Sequence, residues 1–152
     1  MTVTREALHY EDVEVGFRFE TAARTVTEAD LVLFAGLSGD FNPLHSDAVF
    51  AEASIYGERI AQGVLTLALT TGLRQRTGLF DGTLMGLLEV RSWRFLKPVV
   101  IGDTIRAVNE VIELRETSRP DRGVMTQRVD VLNQRGETVQ QGELVALLRR
   151  RS

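Results

Sequence analysis

The run Gly63-Val-Leu-Thr-Leu-Ala-Leu-Thr-Thr-Gly-Leu-Arg-Gln-Arg76 is apolar or small nearly all round until its last turn. A helix with no polar face belongs inside a core, and the small residues of this one, Gly72 among them, let other backbone come close. Downstream the period changes: residues 84–96, 104–117, 124–133 and 138–148 read as strands. Between them lie turn residues, Pro98 with Gly102-Asp103, then Pro120-Asp121-Arg122-Gly123, then Asn133 to Gly136. Short links between successive long strands imply antiparallel pairing. The expected fold class is α+β: one long antiparallel sheet curled around one buried central helix.

Upstream, residues 17–26 read as a short first strand. Thr27 is placed as an N-cap with Asp30 completing a capping box, and Leu31, Phe34, Ala35 and Leu37 follow at helical spacing until Gly39 stops the helix. In the segment Asp40-Phe-Asn-Pro-Leu-His45 the Asn42-Pro43 pair opposes helix continuation, because the residue before proline is pushed out of the α region. Ser46 can cap a second short helix, with Asp47 in its first turn and Gly57 past its end. Asp40 and His45 then fall in a short, stiffened connection between two helices.

The chain has 152 residues, which predicts one domain over 1–152, with residues 1–8 a loose N-terminal arm. It has no cysteine, which excludes disulfides, thiolate zinc sites and cysteine nucleophiles together. Its only histidines are His9 and His45, so an imidazole-built zinc site is nearly excluded and no metal is expected. The net charge of -3 comes from scattered residues, with no basic face for nucleic acid. No apolar run reaches the length of a signal peptide or of a membrane span of ~20 residues, so the expected location is cytoplasmic.

Within 39–63 several readings compete. A calcium loop fails, because Leu44 and His45 stand at the fifth and sixth positions counted from Asp40, where an oxygen ligand and a glycine are needed. A metal held by Asp40 and His45 lacks a third ligand. Asp40 and Asn42 also serve as ordinary turn formers, with His45 a hydrogen-bonded loop residue. Gly63, at the start of the buried helix, offers an unpaired N–H at the positive end of the dipole, or is simply a close-packing glycine. Local chemistry leaves these alternatives open.

The run from Asp30 to His45, with its Gly39-Asp-Phe-Asn-Pro-Leu-His45, followed by Ala61-Gln-Gly-Val-Leu65, resembles the signature of the MaoC-like dehydratases, or R-specific enoyl-CoA hydratases, a branch of the hot-dog fold. Pro98-Val-Val-Ile-Gly-Asp-Thr-Ile105 resembles a later turn of the same family, so the likeness covers most of the chain from about residue 8. It implies that Asp40 and His45 are the catalytic pair, that Asn42 helps order the substrate site, and that the Gly63 N–H meets the thioester oxygen. The implied reaction is syn hydration of a trans-2-enoyl-CoA to an R-3-hydroxyacyl-CoA, or its reverse, with coenzyme A as part of the substrate and no other cofactor. A homodimer, or a multiple of it, is also implied.

Other residues carry less. His9 is expected to be solvent-exposed. Trp93 and Phe95 are expected to pack in a core or dimer interface, with an acyl-pocket wall as the minority reading. Arg74, Arg76, Arg91, Arg94 and Arg149 to Arg151 are candidates for coenzyme A phosphates, though each is more often a solvated charge. A hot-dog thioesterase would need an acidic residue on or near the central helix, and 61–78 has no Asp or Glu. A non-catalytic acyl-CoA-binding subunit would be expected to have lost part of the Asp40, Asn42, His45 and Gly63 set.

Overall fold

A computed structural model describes residues 6–151. In chain order the elements are β1 (Arg18–Glu20), β2 (Arg24–Thr25), α1 (Glu28–Ser38), α2 (Pro43–Ser46), α3 (Ala48–Glu52), α4 (Gly63–Gln75), β3 (Leu84–Phe95), β4 (Thr104–Glu116), β5 (Arg122–Leu132) and β6 (Thr138–Arg149). The sheet runs β1-β4-β5-β6-β3, with β2 also on β4, and every pairing is antiparallel. The four long strands and the central helix fall where the apolar periods place them.

Helix α4 lies on the sheet. Its Leu65 and Leu73 enter the main core with Ile105, Ala107, Val129, Val131, Val139 and Leu144, each buried Leu, Ile or Val side chain contributing about 1.5–3 kcal/mol before entropy is subtracted. Only one face is covered: Leu65, Thr66, Thr70 and Leu73 are buried, while Val64, Ala68 and Gly72 form an accessible stripe. Strand β3, at the end of the sheet order, has no partner on its outer edge among the described residues and exposes Leu84, Leu87, Leu88 and Val90.

Three local expectations are corrected. The first strand, read over 17–26, is two short strands separated at Thr21, whose hydroxyl accepts from the Ala107 N–H at 2.9 Å. The Asn-Pro pair does end α1's neighbourhood, but it also starts α2: the Asn42 side chain accepts from the Leu44 N–H at 3.0 Å with Pro43 as first helical residue, a position where proline's missing N–H costs nothing. Ser46 therefore closes α2, and Asp47 is the residue that caps α3, accepting from Phe50 N–H. His9 is partly buried rather than solvent-exposed. Of the expected arm, residues 1–5 lie outside the described residues; Leu8 is docked by its N–H to Leu79 O at 2.8 Å and by Thr83 Oγ1 donating to its carbonyl at 2.7 Å.

The α1 cap is formed as expected, with Gly39 at φ 78 closing the helix. Burial acts to raise the Asp30 pKa, yet hydrogen bonds from Thr27 N–H, Arg24 and the Thr27 hydroxyl hold it below the ordinary carboxylate range. A depressed folded pKa stabilises above the unfolded value of about 3.9, and that contribution is lost as pH falls through the lower folded value. Asp30→Ala should lower unfolding free energy in urea by ~1 kcal/mol near neutral pH. The gap to the unsubstituted protein should close on acidification below about pH 4; a gap that is constant with pH would refute this origin.

Candidate active site

The segment after α1 turns on side-chain caps. Asp40 N–H donates to Ser38 Oγ at 3.1 Å, and Asp40 Oδ1 accepts from Asn42 N–H at 3.3 Å. With Asn42 capping α2, His45 is held on that single turn. His45 Nδ1 lies 2.7 Å from the Ile60 carbonyl oxygen. A carbonyl only accepts, so the ring carries its proton on Nδ1 and presents the Nε2 lone pair outward. Asp40 Oδ2 stands 3.8 Å from that Nε2. The pair is too far apart for a direct hydrogen bond, but one water about 2.8 Å from each atom fits the gap.

His45 and Gly63 line one cavity of about 480 Å³, with Thr66, Phe95 and Gln140 among its other walls. Asp40 stands beside His45, its side chain about half exposed. Asn42 spends its carbonyl on the cap and does not line the cavity, so its place is that of a residue holding the loop. Gly63 is the first residue of α4, and its N–H donates to no protein acceptor among the described residues. A Cβ there would stand 2.7 Å from the Phe95 ring, so the glycine is also a close-packing one. Gly63 thus joins close packing against Phe95 to a backbone N–H with no protein acceptor among the described residues.

Sequence reading missed two residues here. Gln140 on β6 accepts from Trp93 Nε1 at 3.0 Å and donates to the Gly63 carbonyl at 3.0 Å, tying the start of α4 to the sheet. Among the described residues Thr66 Oγ1, buried on the cavity wall, has no hydrogen-bond partner; its position one turn after Gly63 was the available signal. Phe95 takes the minority reading and forms a wall. Arg74, offered as a phosphate contact, instead turns inward. Among the described residues no three His, Asp or Glu side chains gather as metal ligands, and no helix is long and apolar enough to cross a membrane.

A family model described as MaoC like domain matches residues 12–134. The chain belongs to the MaoC-like domain family. This MaoC-like chain is 33% identical over 139 residues to an (R)-specific enoyl-CoA hydratase of Aeromonas caviae, covering 91% of the one and 97% of the other. A solved structure described as a monoamine oxidase regulatory protein from Archaeoglobus fulgidus superposes with a TM-score of 0.92 at 38% identity, over 99% of this chain and 100% of that one. The fold is also that of a Mycobacterium tuberculosis protein described as a double hotdog fold, with a TM-score of 0.85 at 20% identity over 95% of this chain and 45% of that one. Against Protein MaoC of Klebsiella aerogenes the MaoC-like match, 37% identical over 98 residues, takes in 64% of this chain and spans only 29% of that protein's length.

Proposed function

We propose that this protein is a hydro-lyase that adds water reversibly across the C2–C3 double bond of a trans-2-enoyl-CoA, giving an R-3-hydroxyacyl-CoA. The observation that carries the proposal is the Nε2 of His45 facing Asp40 Oδ2 across 3.8 Å, beside a cavity that His45 lines together with Gly63, the first residue of α4. Two acceptors so placed take both hydrogens of one water, which leaves an oxygen lone pair free to attack C3. As the C3–O bond forms, one water proton passes to the pair and the C2–C3 π electrons move toward the thioester carbonyl. The enolate-like oxygen then meets the Gly63 N–H and the positive end of α4. A proton from the pair reaches C2 on the same face, and water has been added with no other co-reactant. The likeness to an (R)-specific enoyl-CoA hydratase supports the reading. Loss of the enoyl-thioester ultraviolet absorbance on mixing with a panel of enoyl-CoAs tests it; no loss with any of them would overturn it.

Two uncovered surfaces support a dimer. The stripe Val64, Ala68 and Gly72 on α4 is accessible, and β3, an edge strand among the described residues, exposes Leu84, Leu87, Leu88 and Val90; apolar side chains beside an open strand edge suit pairing with another chain. A second copy, pairing β3 with β3 in antiparallel fashion, satisfies the strand edge and covers the stripe. Light scattering should report twice the chain mass or a multiple of it. A stable monomer of full activity would refute the dimer.

A further inference from the structure

Under the second half of α4 the sheet holds a positive charge that hydration does not use. Arg74 Nε donates to Asn109 Oδ1 at 2.7 Å, and one of its terminal nitrogens donates to Gln127 Oε1. Both partners are neutral and inaccessible to solvent. Among the described residues the guanidinium makes no ion pair, and burial with no opposing carboxylate lowers its pKa to about 10. Beside it Gln127 Nε2 is buried with no acceptor among the described residues. Arg74 is half-buried, reaching the surface through one side; cations held this far from water are ordinarily paired, and among the described residues no carboxylate pairs with this one.

Arg74 opens on a second cavity, of about 320 Å³, whose other walls include Phe19, Phe80, Leu84 and Leu87. Apolar walls with a guanidinium on one side suit a short hydrocarbon chain ending in a carboxylate, which arginine grips with two parallel hydrogen bonds. The cavity sits at the Leu84 end of β3, whereas the His45 cavity sits at the Phe95 end. Antiparallel pairing of β3 with its own copy about the middle of the strand lays the Leu84 end of one protomer against the Phe95 end of the other. The Arg74 cavity of one protomer and the His45 cavity of the other then lie at the same end of the paired strands.

We infer that Arg74 of the partner subunit receives a carboxylate at the far end of the acyl chain, so that the substrates are half-thioesters of unsaturated dicarboxylic acids with coenzyme A. This rests on the hydratase reading and on the dimer. The test compares trans-2-enedioyl-CoA thioesters of short to medium chain length with the same compounds methyl-esterified at the distal carboxylate. The unsubstituted protein should favour the free acid by roughly 30-fold in kcat/KM, the worth of a charge-assisted hydrogen bond. Arg74→Met should bring that acid-to-ester ratio near one, and Arg74→Lys should restore part of it. Equal rates for acid and ester in the unsubstituted protein would overturn the inference, as would an Arg74→Met ratio equal to that of the unsubstituted protein. Should Arg74→Met fail to fold, the acid-to-ester ratio of the unsubstituted protein still decides. Hydration without preference for the acid removes this inference alone, whereas hydration of no thioester removes the proposed function with it.

Discussion

Asp40→Asn and His45→Gln should each lower kcat/KM for hydration by about 10²–10⁴-fold, the usual contribution of a positioned acid or base. Asp40→Asn keeps the side chain's shape and can keep an acceptor for the Asn42 N–H that Asp40 Oδ1 now holds. It removes the charge, and with Oδ1's role retained it turns an amide NH₂ toward the water position. The water then meets a donor where it needs an acceptor, and its oxygen is no longer left free for C3. In His45→Gln a side-chain NH₂ can still seek the Ile60 carbonyl, but no basic nitrogen faces Asp40. Because both groups hold one water, their losses should not add: the double variant should be about as slow as the slower single. Circular dichroism and oligomeric state should be unchanged, since α2 is capped by Asn42 and not by either of these residues. Hydration by both single variants at the full rate would sink the assignment.

What the sequence shows and what it hides divides by distance along the chain. The α1 cap is legible because Thr27, Asp30 and Gly39 act within one or two turns, and the long strands are legible because their apolar period repeats along 11 to 13 residues. The motif from Asp40 to His45 is legible as a sequence of residue types, but its geometry needed the turn: Asn42-Pro43 blocks one helix and begins another, so His45 rides on a helical turn and not in a linker. The roles of Gln140 and Arg74 were hidden, because Gln140 meets Gly63 across 77 residues and Arg74 meets Asn109 and Gln127 across 35 and 53. Only the register of β4, β5 and β6 brings those partners under the helix. The all-round apolarity of 63–76 did announce burial, but the chain covers only one face of α4, and Val64, Ala68 and Gly72 on the other stay accessible.

Gly63→Ala should reduce kcat/KM by about 10²–10³-fold, the scale on which the loss of one oxyanion donor is felt. The backbone N–H survives the substitution and alanine is a better helix residue than glycine, so the loss would not come from a weakened α4. On the proposed function it would come from the methyl group, which would crowd the approach of the thioester to the first N–H of the helix. The same methyl would lie 2.7 Å from Phe95 Cδ1 and 2.8 Å from Cε1, so the ring must move. Phe95 is more than half exposed and can swing without unpacking the core, which keeps the expected stability change small. A second substitution separates the two demands on this position. If the thioester needs the space, Gly63→Ala with Phe95→Leu should remain slow, because the methyl still blocks the carbonyl oxygen. If the glycine serves only the ring, relieving the ring should restore the rate, and the proposed contact between Gly63 and the substrate would have to be abandoned.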